Sequence, residues 1–496
     1  MLEKGLLISF LLVGSIFSQG YIRITKIEDL KEKIKSGNVE TLLIDKKIEI
    51  KEKIEIPENI DLIVLKGGGF VKNFEKGSLF IKGGFNAPFS QVFYGFSPGE
   101  VKLNKKNIKE VYPQWWGAKA DGISDDSLAI QSAIDSGVCK VFLPCGKYYI
   151  GKTLNITNIW NGLTIEGVGN SEDDNNCSLL IGGTGGIVLD CSGSRYLYLK
   201  NFRIKGANSN SSTVGIYFAR TKDIQFAEFN TIENVSVFLP HIAEANNGNG
   251  TVGIYNYAAE LWRARNIYIS ADNGVVFTGY NIFKIFSPYR EIWKGYPSMS
   301  ECSIDGTSTI KGNYGPSILI DNGIKIEILN AYLSGVCKDK EKIFPYAIKI
   351  GGTGFWNSHI TITGHIERSG HGILFVDSTN ITNLKLDVSS SYRGPFICLK
   401  NGSISDSEIS ILHYERSPSR ERNFLTQDSE GTIGNTTFTF EYPDDKFVAP
   451  NVMFKGTIIK GGHFSTEKIK ENLKTKKGSS FLLIGNDNFL WYNIKE

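Results

Sequence analysis

The sequence predicts an all-β solenoid: short strands wound into coils, with a helix covering the open end of the stack. Three observations predict it. Residues 112–169 run from a capped helix straight into short strands separated by tight turns. Downstream, two short patterns recur at coil-like spacings. Upstream, residues 21–110 alternate apolar and charged side chains with a period of two.

In chain order, residues 1–20 read Met-Leu-Glu-Lys, then an apolar run from Gly5 to Phe17, then Ser-Gln-Gly. That is the layout of a secretory leader, and the run is short for a membrane span. Export is expected, with a retained N-terminal anchor as the alternative. Over 21–111 the pairs Ile48/Ile50, Ile54/Ile56 and Leu62/Val64 predict strands with one wet face, a β-rich region or preliminary coils. Residues 28–35 are expected to form one short helix. The paired Trp115 and Trp116 are expected to seal the junction into the next segment.

The main solenoid is assigned to 112–430. Asp125 or Asp126 is suited to cap a helix, because a short carboxylate accepts from the free N–H groups of the first turn. Leu128, Ile130, Ala133 and Ile134 give that helix its apolar stripe, and Gly137 ends it. Val141-Phe142-Leu143, a Pro-Cys-Gly turn and Tyr148-Tyr149-Ile150 then read as strands. Gly-Ile recurs at 186, 215, 253, 323 and 372. A second pattern starts strands at Asn201, Asn234, Asn266, His359 and Asn383. Asn201 to Asn234 is 33 residues, Asn234 to Asn266 is 32, and Ile360 to Leu384 is 24. Such spacings are those of solenoid coils. Asn tolerates left-handed backbone and its amide can bond from coil to coil, so these Asn are given a structural role. Residues 431–496 are read as final coils and a cap that protects the last open edge.

The stretch Gly117-Ala-Lys-Ala-Asp-Gly122 with Asp125-Asp126-Ser127 and Ala129-Ile-Gln-Ser-Ala-Ile134, followed by V-F-L-P-x-G-x-Y-x-I and L-T-I-E-G-x-G, resembles the opening signature of the pectate-lyase superfamily. This group includes relatives of polygalacturonases, rhamnogalacturonase/epimerase-like proteins and phage tailspikes. The resemblance implies a single-stranded right-handed parallel β-helix with an N-terminal capping helix. It also implies a polysaccharide partner, and a monomer or, in the tailspike manner, a homotrimer. The motif starts the helix rather than cutting anything, so it carries fold and not chemistry. Gly370-His371-Gly372 is similar to the G-H-G of polygalacturonases, but the N-T-D and D-D that accompany it there are missing upstream.

Composition narrows the function classes. A formal charge of +3 on 496 residues gives no case for nucleic acid. The 21 Tyr, 30 Phe and 7 Trp fit core stacking within coils or a sugar-binding face. Seven Cys without C-x-x-C spacing argue against zinc. Cys139 with Cys145, or Cys177 with Cys191, are candidates for a bridge in an exported protein, while burial as small apolar residues is the alternative. Asp121, Asp125 and Asp126 are explained by capping and a tight turn, and no motif points to calcium or another cofactor.

Chemistry is placed on a local repeat. Gly364-His365-Ile366-Glu367-Arg368-Ser369 is echoed by Leu412-His413-Tyr414-Glu415-Arg416-Ser417, 48 residues on. Glu367 and Glu415 are candidates for the two carboxylates of a glycoside hydrolase. Alternatively, Arg368 or Arg416 would neutralise a uronate while His365 or His413 takes the proton in a lyase. Parity opposes the pairing. With Ile360 and Ile362 inward, His365 and Glu367 point out, whereas with Ile409 and Ile411 inward, His413 and Glu415 point in. A ladder of ion pairs is the structural alternative. Tyr289, Trp293 and Tyr296, in an aromatic and Pro-bearing interruption of the coils, are candidates for sugar binding. The expected function is a secreted, cell-surface or periplasmic polysaccharide lyase or hydrolase. A non-catalytic glycan-binding or appendage protein is the alternative.

Overall fold

The computed structural model describes residues 21–494 except 74–75, 172, 184–185, 208–213, 221–226, 242–249, 279–298, 336–345, 353–355, 369–371, 391–395, 414–421, 441–444 and 462. The chain winds as a right-handed parallel β-helix. Right-handed crossovers are what twisted strands in parallel register favour. Two compact units can be distinguished, Met1–Leu154 with Leu163–Leu179, and Asn155–Gly162 with Leu180–Glu496.

The first unit opens with the helix Ile27–Ser36. It carries Glu28 and Asp29 in its first turn and Lys33 and Lys35 in its last, and it ends at Gly37 with φ 69°. This charge order complements the helix dipole, and a left-handed glycine is a favoured stop. Three columns of apolar residues follow, all buried except the half-buried Phe85: Leu42, Leu62 and Phe85; Ile48, Phe70 and Phe93; Ile54, Leu79 and Val101. Each residue pairs in parallel register with the next, so alternation in sequence becomes one dry and one wet face. Trp115 and Trp116 are buried as expected, and Trp115 Nε1 donates to Pro88 O at 3.1 Å.

The helix expected after Asp125 is Ser127–Ile134, with Ile130, Ala133 and Ile134 buried. Two details differ from expectation. Leu128 is exposed at 59%. Asp126 occupies the cap position without a side-chain bond to the helix, and its carboxylate instead accepts from Lys119 N and Ala120 N at 2.8 and 3.0 Å. Asp125 accepts from Ser127 N at 2.9 Å and from Gly151 N at 3.2 Å, tying the helix start to the following strand. Burial pushes the Asp126 carboxyl up, against those two backbone donors.

In the second unit three core columns run through successive rungs. The first is Leu199, Ile232, Ala264, Ile304, Ile328, Ile362, Leu386, Ile409, Phe438, Ile459 and Leu483. The second is Ile204, Val237, Ile269, Ile310, Leu333, Ile366 and Ser390. The third runs from Leu189 through Ile216, Ile254, Val275, Ile318, Ile348 and Leu374 to Ile397. All are nearly inaccessible. Each full burial of such a side chain contributes about 1.5–3 kcal/mol, so rungs reinforce one another by repetition. The stack closes with Phe489–Asn493 turning back antiparallel on Ser480–Ile484.

The Asn pattern resolves into two separate ladders. Asn201, Asn234 and Asn266 stack with φ of 60°, 52° and 52°, and each Nδ2 donates to the preceding Oδ1 at 3.2 Å. His359 and Asn383, grouped with them by sequence, belong instead to a second left-handed corner. That corner runs Tyr196, Phe229, Leu261, Glu301, Lys325, His359, Asn383, Asp406, Asn435 and Gly456, with φ between 46° and 63° throughout. Asn383 Nδ2 meets His359 Nε2 at 3.3 Å there.

No disulfide forms at either candidate pair. Cys139 and Cys145 are free and exposed, Cys177, Cys191, Cys302 and Cys398 are buried thiols, and Cys337 lies outside the described residues. Burial pushes the Cys302 thiol up to about 12 and Cys191 well above its ordinary range, which leaves both protonated and inert. Among the described residues no helix is long and apolar enough to cross a membrane. The leader-like residues 1–20 lie outside them.

Candidate functional site

The second left-handed corner singles out one place on the second unit. A left-handed backbone costs a non-glycine residue about 1–2 kcal/mol, and Asn or Gly meets it most easily. The far half of the ladder is filled accordingly by His, Asn, Asp, Asn and Gly. The near half holds Tyr196, Phe229 and Leu261, for which positive φ is a genuine outlier. Tyr196 and Phe229 are moreover 57% and 45% exposed. Their rings stack at 5.3 Å with planes 5° apart. Bulky aromatics held in strained backbone and left in solvent gain little as core, and strain of this kind clusters at ligand sites.

Charged groups gather immediately beside these rings. Arg195, Glu228 and Glu260 are successive partners in parallel bridges, so their backbones lie one rung apart, about 4.8 Å per rung. Arg195 Nη2 stands 3.5 Å from Glu228 Oε1, with Glu228 only 15% exposed. Burial pushes the Glu260 carboxyl up; the charge of Glu228 and, more weakly, that of Glu301 add to this, and Arg220 opposes it. Burial also pulls the Arg220 guanidinium down, against the fields of Glu260 and Glu228. One carboxyl with a raised pKa beside another carboxylate held against an arginine is the arrangement that separates an acid from a base.

The backbone shows how the coils build this corner. Ala258 N donates to Thr278 O at 2.9 Å and Leu261 N to Ser300 O at 3.0 Å. Thr278 and Ser300 thus hold the two ends of Ala258–Leu261 through their carbonyls. Tyr289, Trp293 and Tyr296 themselves lie outside the described residues.

The tandem motif divides differently. His365 is half-buried, stacks on Tyr332 at 5.6 Å and places Nδ1 2.8 Å from Ser389 Oγ. Glu367 is exposed and in register with Ser334, and Arg368 is in register with Gly335. His413 is in register with Ser390, and Ser390 with Ile366. The backbone register thus aligns Leu412, and not His413, with His365. The two copies of the motif are offset by one residue, as parity required. Glu415 and Arg416 lie outside the described residues.

Glu228 and Glu260 escaped the sequence reading although their signal is present. Arg195, Glu228 and Glu260 each stand six residues before a ladder residue, Asn201, Asn234 and Asn266, and each is followed by a bulky apolar residue. A charged–apolar pair at a fixed offset from the Asn ladder marks the corner. Phe229→Asn is expected to change stability by less than about 1 kcal/mol, because relief of the left-handed strain offsets the lost ring stacking of about 0.5–1.5 kcal/mol. The same variant is expected to weaken saccharide binding. Thermal melting and titration with oligosaccharide separate the two effects.

No family model matches the chain, and no curated protein matches it. Solved structures similar to it include the enzymatically active domain of bacteriophage CBA120 tailspike protein 2. That structure is 14% identical with a TM-score of 0.44, over 74% of this chain and 52% of that one. The gp42 tailspike of Acinetobacter phage vb_AbaP_AS12 is 12% identical with a TM-score of 0.45, over 80% and 67%. DFA-IIIase from Arthrobacter chlorophenolicus A6 without its lid is 12% identical with a TM-score of 0.39, over 76% and 94%. The chain spans about half the length of the first of these structures.

Proposed function

We propose that the protein is an exported, polysaccharide-active β-helix that hydrolyses a glycosidic bond at the Glu228–Glu260 corner. Glu260 is the general acid, Glu228 the carboxylate that acts as base or nucleophile, and Tyr196 with Phe229 the platform that seats a sugar. The observation that carries this reading is the pair of exposed aromatics held at positive φ beside a carboxyl whose pKa is raised. Hydrolysis is favoured over elimination because the corner offers two carboxyl groups on adjacent rungs, and burial raises the pKa of Glu260. Protonation of the leaving oxygen by Glu260 and attack on the opposite face of the sugar ring need both.

The tandem H-x-E-R motif, His365, Glu367 and Arg368 with His413, Glu415 and Arg416, is the rival centre. One experiment separates the two. The protein is incubated with a panel of acidic and neutral polysaccharides, following reducing ends for hydrolysis and ultraviolet absorbance for an unsaturated lyase product. Reducing ends without the unsaturated product are expected, with turnover unchanged in Glu367→Gln and Glu415→Gln. Loss of turnover in those variants would move the chemistry to the tandem motif. Binding without turnover would leave a glycan-binding module on the same corner.

A further inference from the structure

The column of charged residues at the corner begins one rung earlier than Arg195. Where Arg195 and Glu228 are partners, Glu228 N donates to Ser194 O at 3.2 Å. Where Glu228 and Glu260 are partners, Glu260 N donates to Ala227 O at 3.1 Å. Each residue thus bonds the carbonyl just before its partner, as parallel strands do. Arg195 N makes the same bond one rung back, to Ile159 O at 2.8 Å. The partner this assigns to Arg195 is Trp160. Trp160, Arg195, Glu228 and Glu260 therefore form one column, and partners in parallel register share a face.

Trp160 is held out at this position rather than packed. It is 52% exposed, and among the described residues no hydrogen bond or ring contact engages its indole. The backbone beneath it is pinned. Asn158, at φ 56°, donates through N to Ser192 O at 3.0 Å. Ile159 N donates to Ser194 Oγ at 2.8 Å, and that buried hydroxyl donates to Ile156 O at 2.5 Å. On the other side Gly162, at φ 76°, lies against Tyr196, whose carbonyl oxygen would stand 3.3 Å from a Cβ there. A large ring on a fixed backbone binds with little ordering cost, and an indole offers an apolar face with an N–H donor at its edge.

The stacking surfaces fall on one side of the carboxyl groups. Along the column Trp160 comes first, then Arg195 with Tyr196 beside it, then Glu228 with Phe229, then Glu260 with Leu261. Beyond Glu260 the corner continues with Glu301, which pairs with Lys325 Nζ at 2.7 Å, and with His359, which is bonded to Asn383. Trp160 stands two rungs from Glu228, roughly 10 Å at the usual strand spacing. A pyranose ring is comparable in length to one spacing, so roughly two or three linked sugars cover the distance.

We propose that Trp160 is a remote sugar-binding residue that makes the corner selective for chain length, gripping the saccharide on the Tyr196 side only. The inference rests on the reading of the corner as a saccharide site, and not on hydrolysis there. A disaccharide lying across Glu228 and Glu260 does not reach Trp160. A tetrasaccharide or longer chain does, and it stacks a further ring on the indole. The fragment beyond Glu260 has no matching platform among the described residues, so it is held more weakly and leaves first. A grip this far from the reacting bond is the same in ground and transition states, so it acts on KM rather than kcat.

The test is calorimetric titration of the wild type, Trp160→Ala and Trp160→Phe with oligosaccharide series running from disaccharide to hexasaccharide. The series are cello-, xylo- and galacturonate oligomers, and oligomers of whichever polysaccharide the protein cleaves. In at least one series affinity is expected to rise steeply between disaccharide and tetrasaccharide. Trp160→Ala is expected to lose that rise, weakening the hexasaccharide about tenfold while binding the disaccharide as the wild type does. Trp160→Phe is expected to keep most of it. Trp160 lies outside the core columns, so Trp160→Ala should melt with the wild type. On a cleaved polymer the loss should appear as a raised KM. Glu260→Gln is expected to keep the whole length dependence, so turnover that is absent, or unaffected by that variant, sinks the hydrolytic reading and leaves this one standing. A rise that survives in Trp160→Ala overturns the proposal. So does affinity independent of chain length, or no binding of any series.

Discussion

Glu260→Gln is expected to lower turnover by about 10²–10⁴-fold while leaving saccharide affinity intact, because it removes proton donation and little else. The amide is nearly isosteric, and Glu260 is not part of the core columns. The pH dependence is the sharper readout. Burial, then the neighbouring charge of Glu228, raises the Glu260 pKa above the ordinary carboxylic range. Donation therefore persists to higher pH than an exposed glutamic acid would allow, and activity falls as pH rises through the raised value. The same shift fixes the sign of the stability effect. The native state holds this proton more tightly than the unfolded chain, so its stabilising contribution is full in acid and is lost as pH rises through the folded pKa. Glu260→Gln cannot ionise, so its stability relative to wild type should improve on going from acid to neutral pH. Denaturant titrations at several pH values measure this directly. A variant whose rate–pH curve keeps the wild-type alkaline limb would show that Glu260 is not the acid.

Much of the fold was legible because a solenoid repeats its own evidence. Alternation in Ile48/Ile50 and Ile54/Ile56, and the 33- and 32-residue returns of Asn234 and Asn266, each report the same rung geometry. The Asn ladder was readable down to its hydrogen bonds because one residue type does that task best. The second corner was not, since the residues at its near end are Tyr196, Phe229 and Leu261, which no propensity assigns to left-handed backbone. Register was the other hidden quantity. The repeated H-x-E-R looks like one slot used twice, yet the backbone register aligns His413 with Ser390 and Ile366 and not with His365. A shift of one residue inverts the face of every side chain, so similarity of letters does not imply proximity of groups. Charge gave no warning either. Arg195, Glu228 and Glu260 are scattered over 66 positions and meet only because the coils stack them.

Trp262→Ala is expected to destabilise the second unit by about 3–5 kcal/mol, the usual cost of deleting a fully buried indole. Trp262 is 1% exposed and lies between Phe218 and Phe277, at 6.0 and 5.4 Å with planes 17° and 13° apart. Its removal empties the centre of a three-ring stack, and neither neighbour can close the gap without leaving its own rung. Trp262→Phe should behave quite differently. The indole Nε1 is buried without a hydrogen-bond partner among the described residues. An unsatisfied buried donor costs about 1–3 kcal/mol, so losing it offsets much of the lost volume. In a solenoid each rung leans on its neighbours, so the defect in Trp262→Ala should spread locally, with faster hydrogen exchange first over Val252–Tyr257 and Asn273–Thr278. Trp262 also follows Glu260 by two residues, on the strand segment that sets the left-handed corner. Trp262→Ala should therefore lose hydrolysis well below its melting temperature, whereas Trp262→Phe should retain both. If the alanine variant melts with the wild type, the ring stack is not what holds the corner, and the strained backbone at Tyr196 and Phe229 would need another source of support.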